Sequence, residues 1–161
     1  MSAKAVCVLV TETSTSSGIT GVLTLTQNSE TDPTVIAGEV KGLAPGSVHG
    51  LSLNIYGDLS DGATSCGDVF NPFNGTHGLP GDPSRRVGSL GNVTAGADGR
   101  ADVQITDELV KLIGPHSVVG RSLVIYASQD DGGRGGHVQS SETGNAGPRA
   151  AAGVIGLAAM T

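Results

Sequence analysis

Apolar and polar residues alternate with a period of two along much of the chain, the pattern of strands that bury one face and leave the other to a different environment. The alternation and its Gly, Asp, Asn and Pro punctuation predict eight strands, over residues 4–10, 18–27, 34–41, 49–56, 90–95, 100–106, 120–127 and 151–158. Two long stretches, 59–88 and 129–149, carry no period and are rich in Gly, Asp, Ser and Pro. Loops of that length within a compact domain are commonly functional or disordered. Only "DELVKLI", Asp107 to Ile113, has a helical look, a short turn with Asp107 as its cap. Eight antiparallel strands with long crossovers predict an all-β, Greek-key β-barrel or sandwich. No internal repeat or linker divides residues 1–161, so a single domain is expected.

Composition supports strands and turns over helices: 26 glycines, two Phe, two Tyr and no Trp. The net charge of -6 and the lack of any Lys/Arg cluster disfavour nucleic acid or an anionic membrane as partner. No apolar run is long enough to span a bilayer and no basic leader precedes an apolar segment, which predicts a soluble cytoplasmic protein. The two cysteines suggest no disulfide framework. Cys7 lies in the apolar run "KAVCVLV" and is expected to be buried, whereas Cys66 lies in a polar loop and is expected to be exposed.

One strand poses a question. In "HGLSLNIYGD", His49 to Asp58, the polar positions of the alternation hold Ser52 and Asn54. A set of segments answers it: "KAVCVL", "KGL", "HG.....GD", "FNP", "HG.P", "VG.LGNVTA..DG.ADV", "GR.LV", "DD.G.GG" and "TGNAG.R.A.GVIG", in order between Lys4 and Ala158. Together they resemble the copper/zinc superoxide dismutases. That resemblance implies an eight-stranded Greek-key barrel with a metal-binding loop and an electrostatic loop at the two aperiodic stretches. It also implies that Ser52, Asn54, Val69 and Tyr126 stand where the family places copper-ligating histidines, Val69 being the bridge to zinc. At the zinc positions, Val69, Arg86 and Ser89 replace ligands and only His77 matches. Asp130 matches the carboxylate that supports the ligands from behind, and Ala63 and Ala152 occupy the positions of the family's disulfide.

Read this way, the chain is expected to be a catalytically inactive member of the family, without cofactor, since the family's chemistry is carried by copper and side chains do not supply that couple. Arg149 and Thr143 match an anion-guiding channel, with Arg149 expected mainly to order its loop through backbone carbonyls. Arg86 is expected to act as a tethered cation for Asp130 and Asp68. His77 is expected to pair with Asp130, His49 to hydrogen-bond within the barrel, and His116 and His137 to lie in loops. Tyr56, Gly57, Val119, Gly120, Gly156 and Leu157 match the family's dimer patch. A homodimer is therefore expected, with a heterodimer with an active dismutase or its copper chaperone as a possible regulatory use. Two alternatives stand beside this reading: a dismutase with an unusual or residual metal site, and a structural or stress-protective protein with no specific partner.

Overall fold

The computed structural model describes residues 1–12 and 18–160. Its strands are β1 (Ala3–Thr11), β2 (Thr20–Gln27), β3 (Thr34–Lys41), β4 (Val48–Asn54), β5 (Ser60–Ala63), β6 (Ser89–Thr94), β7 (Ala101–Asp107), β8 (Ser122–Tyr126) and β9 (Arg149–Leu157). Eight of them form one antiparallel sheet in the order β6-β4-β8-β9-β1-β2-β3-β7. The edge strands β6 and β7 are consecutive in the chain and joined by a turn in which Gly96 N donates to Arg100 O at 2.9 Å. The sheet thus curls into a nearly closed barrel. This is the all-β, eight-stranded Greek-key architecture that the alternation predicts.

The alternation itself fills the barrel. Along β1, Ala5, Cys7 and Leu9 point inward, while Val8 and Val10 face out. Leu23, Leu25, Ile36, Val40, Leu51, Leu53, Leu123, Ile125 and Ile155 complete a largely aliphatic interior that also takes in Phe70. Burial of the Cys7 thiol pushes its pKa up to about 12, because ionisation is penalised where water is excluded.

Two strands depart from one-sided burial, and they position the site. Every residue of β4 from His49 to Asn54 is buried, as is every residue of β8. The inward faces carry Leu51, Leu53, Leu123 and Ile125; the outward faces carry Ser52, Asn54, Ser122, Val124 and Tyr126, roofed by the two long loops. The loops are not featureless. The first contains β5 and a 3-10 turn, Thr64–Cys66, and the second a short helix, α1 (Ser140–Thr143).

Two local expectations are corrected. Residues 107–113 form no helix: Asp107 Oδ1 instead accepts from the amides of Leu109 (2.8 Å) and Val110 (2.9 Å), so the carboxylate closes a turn. Cys66 is fully buried, packed with Ala63, Val124, Tyr126, Ala146 and Ala152 beneath the loop. Its thiol points at the Asp58 carbonyl, 3.7 Å away. The polar sequence around it signals a surface loop, but the 3-10 turn folds this one small apolar side chain inward.

Candidate functional site

The outer face of β4 and β8 brings together the side chains that the sequence singles out. Ser52 Oγ donates to Asn54 Oδ1 at 2.6 Å and lies 2.9 Å from the Tyr126 hydroxyl. Asn54 Nδ2 donates to Gly67 O at 2.8 Å. Val69 pairs with Asn54 through an isolated bridge and sits over Gly88, where an added Cβ would come within 2.9 Å of its methyl group. Ser52, Asn54 and Tyr126 are all buried. The three polar groups therefore satisfy one another and the first loop. A buried hydroxyl or amide without a partner would cost about 1–3 kcal/mol, and this network avoids that. The Tyr126 ring lies beside Gly50, whose missing Cβ would be 3.5 Å from it.

Next to this cluster, His77 Nε2 lies 2.8 Å from Asp130 Oδ1, with both side chains almost completely buried. A carboxylate only accepts, so Nε2 carries the proton. His77 Nδ1 is buried with no hydrogen-bond partner, as are Ser89 Oγ and Ser122 Oγ. Asp130 Oδ1 also accepts from Gly132 N at 2.8 Å. Asn92 clamps the backbone of the same residue, accepting from Asp130 N (2.7 Å) and donating to Asp130 O (2.9 Å). The fit is tight: a Cβ on Gly144 would meet Asp130 Oδ1 at 1.8 Å and His77 Nε2 at 2.8 Å. Gly144, at φ 70°, is the left-handed cap that ends α1.

Arg86 does not do what its sequence position suggests. Its guanidinium donates to the Glu142 carbonyl at 2.6 Å and makes no ion pair with Asp130 or Asp68. It links the first loop to the second by one bond to a backbone carbonyl. Arg85, its neighbour, is the buried arginine. Its Nη2 pairs with Asp107 Oδ2 at 2.6 Å, and its Nη1 donates to Val87 O (3.1 Å) and Ser89 O (3.0 Å). Asp107 thus binds Arg85 with one oxygen and its turn with the other. Neither Arg85 nor Asn92 stands out in the sequence: Arg85 precedes the segment that begins at Val87 and adjoins the more conspicuous Arg86, and Asn92 lies inside that segment.

A cleft of about 350 Å³ opens beside this region, lined by Ile55, Asp68, Val69, Asn71, Arg86, Glu142 and Thr143. Thr143 is at its rim, but Arg149 stands outside the lining, with its Nη1 donating to Ala63 O at 2.8 Å. The two residues matched to one channel are therefore not brought together around this cleft. Of the other histidines, His49 bonds the Tyr126 carbonyl through Nδ1 (2.7 Å) and Ser47 Oγ through Nε2 (2.8 Å). His116 packs edge-on against Phe73 at 4.8 Å, and His137 Nδ1 accepts from Gln139 N at 3.1 Å. Among the described residues no three His, Cys, Asp or Glu side chains converge on a point where a metal ion could sit.

Residues 19–155 match the family model described as copper/zinc superoxide dismutase. A protein named Superoxide dismutase [Cu-Zn] from Candida glabrata is 54% identical over 142 residues, covering 88% of this chain and 92% of its own length. A protein of the same name from Onchocerca volvulus is 45% identical over 164 residues and covers 100% of both chains. A third, from Cordyceps militaris, is 46% identical over 155 residues, 96% of this chain and 98% of its own. These relatives correct the expectation of an inactive, metal-free protein. Chains this similar along nearly their full length are named as an enzyme, and that favours the alternative of a dismutase with an unusual or residual metal site.

Proposed function

The chain belongs to the copper/zinc superoxide dismutase family, and we propose that it acts on superoxide as a dismutase whose metal site departs from the family's histidine pattern. The observation that carries this reading is the extent of the kinship, 45% identity with coverage of 100% of both chains in one case and 54% identity in another.

The departure is a matter of donor chemistry. Copper favours imidazole and sulfur donors. At the four positions where the resemblance puts its histidines, this chain offers a hydroxyl, a carboxamide, an alkyl group and a phenol, and the three polar ones are engaged with one another and with Gly67 O. Those side chains do not fit a copper ion. Zinc in a structural site wants about four N, S or O ligands. Here His77 contributes one buried, unpartnered nitrogen, Ser89 a neutral hydroxyl and Arg86 a positive charge. That set does not fit zinc either. The reading requires a redox metal held by a donor set other than the family's.

Metal analysis of protein purified from its native source, paired with superoxide consumption before and after chelation, tests this. Activity that rises and falls with a bound redox metal is expected. Protein that holds no redox metal and consumes superoxide no faster than buffer overturns the reading.

A homodimer is the assembly this family reading suggests, and the exposed apolar groups favour it. Tyr56 and Leu157 are 58% and 76% exposed, and Val154 is also open. Gly156 leaves room around its backbone, since an added Cβ would meet only Val6 O at 3.7 Å. Gly57 is explained within the chain instead: its Cβ would strike Gly120 O at 2.2 Å, so this glycine serves the packing of one turn on another. Gly156→Arg should convert a sedimenting dimer to a monomer. A monomeric wild type at tens of micromolar would remove the dimer, and with it a mixed dimer with another dismutase or a copper chaperone on the same face.

A further inference from the structure

We infer that Glu12 is the non-covalent fastener of the first loop: its carboxylate, acting with Arg149, holds Ala63 to the barrel at the place where the resemblance implies a disulfide, and so makes that attachment sensitive to pH where a disulfide would be sensitive to reductant.

Two hydrogen bonds converge on one residue. Ala63 N donates to Glu12 Oε2 at 2.5 Å, and Ala63 O accepts from Arg149 Nη1 at 2.8 Å. The residue is therefore gripped from both sides, by an acid at the end of β1 and a base at the start of β9. Glu12 is itself anchored, because its amide donates to Ala150 O at 2.8 Å and prolongs the β1–β9 ladder past its last pair. Gly62 admits the carboxylate: at φ +57° it turns the chain, and a Cβ there would lie 2.5 Å from both Glu12 oxygens. The methyls of Ala63 and Ala152 are buried next to this contact, and with Val10, Thr11, Leu59 and Gly62 they line an apolar pocket beside Glu12. Neither cysteine reaches it, since Cys66 turns to Asp58 O and Cys7 lies inside the barrel.

An ionised carboxylate accepting a backbone N–H makes a charge-assisted bond that a protonated carboxyl does not match. The attachment is then complete at neutral pH and weakens as pH falls through the carboxylate range. Among the described residues Arg149 from β9 shares the Ala63 contact, and Asp58 and Cys66 lie in the same loop, Cys66 Sγ facing Asp58 O. Asp58 is held below the usual range by Ser60. Glu12→Gln leaves all of them in place, so the difference between that variant and the wild type isolates Glu12. This inference does not depend on the dismutase reading, because its readout is not activity.

Amide hydrogen exchange at residues 62–67, expressed as protection and followed from neutral to acidic pH, tests it. Wild-type protection at Ala63 should fall by about tenfold to a hundredfold across the carboxylate range, the span expected for one hydrogen bond to a charged group. Glu12→Gln keeps an oxygen acceptor and should show partial protection with no such step; Glu12→Ala should lose protection at every pH. Reductant should change nothing. An oxidised Ala63→Cys/Ala152→Cys cross-link should restore protection of residues 64–67 in the Glu12→Ala background, with no pH step. Identical pH profiles for the wild type and Glu12→Gln, or full protection of Ala63 in Glu12→Ala at neutral pH, overturn the inference.

Discussion

The inside of the barrel and the roofed outer face of β4 and β8 are equally dry, yet they are held by different forces. Inside, Leu9, Leu23, Leu25, Leu53, Leu123, Ile125 and Ile155 meet as one apolar cluster, the buried Gln27 and Thr34 on the same strand faces being bonded to backbone, and area removed from water is the main stabilising term. Outside, a smaller cluster of Ala63, Cys66, Val124, Tyr126, Ala146 and Ala152 borders Ser52, Asn54, His77 and Asp130. There each buried polar group needs a specific partner, and most partners come from the two long loops. The interior follows from a local rule repeated strand by strand. The outer face depends on chain segments far apart in sequence arriving in one arrangement.

The sharpest way to separate the two is to cut one group from each. Leu123 is fully buried on the inward face of β8, so Leu123→Ala should lower stability by about 2–5 kcal/mol through lost transfer energy and a residual cavity. The loss should appear as a global drop in the unfolding midpoint, with both loops still protected from exchange at low denaturant. A loss confined to the loops would mean that the interior and the roof are not distinct units.

Asp130→Ala makes the complementary cut. It removes the acceptor of His77 Nε2 and of Gly132 N while leaving the Asn92 clamp on the backbone. Each buried donor left without its acceptor costs about 1–3 kcal/mol. The expected outcome is a smaller fall in the global midpoint than for Leu123→Ala, with exchange protection lost first around residues 77 and 130–144. Asp130→Asn should be milder, since it keeps one oxygen for His77. Equal protection in the wild type and Asp130→Ala would show that the roof is held by something other than this pair.

The contrast also explains what could be read from the sequence. Periodicity located all eight strands of the barrel, because Leu51, Leu53, Leu123 and Ile125 are apolar for a reason that acts at every second residue. It was silent on β5, the 3-10 turn and α1, which are too short to show a period, and it misjudged Asp107, whose carboxylate can cap a helix or close a turn with the same local chemistry. The matching segments named the neighbourhood of the site but not its contacts. Arg86, at the position of a replaced ligand, is expected to serve Asp130 and Asp68, whereas its guanidinium donates to Glu142 O. Glu12 carries no sequence signal, since its importance comes from residues some fifty and a hundred and forty positions away, Ala63 and Arg149. The inference of inactivity, drawn from four substituted positions, gave way to kinship spread over the whole chain.

The smallest effect expected is the most local, at the exposed end of the roof. Asp131 is held below the usual carboxylate range, first by the Ser140 hydroxyl, which donates to its Oδ2 at 2.5 Å, and then by the Gly133 and Arg134 amides. A carboxylate whose pKa is depressed in the folded state stabilises that state above its unfolded value, and the contribution is lost as pH falls through the folded value. Residues 131–144 should therefore keep their protection at neutral pH and lose part of it at acid pH, with little change in the global midpoint because the group is at the surface. Ser140→Ala removes the largest cause, so the Asp131 carboxyl should titrate closer to the ordinary range and the loosening should begin at a higher pH. Following the Asp131 carboxyl carbon by NMR in both proteins measures the shift directly. If Ser140→Ala leaves that titration unmoved, the hydroxyl does not set the charge of the loop, and the pH response of the roof must come from Asp58, Asp82 or Glu12 instead.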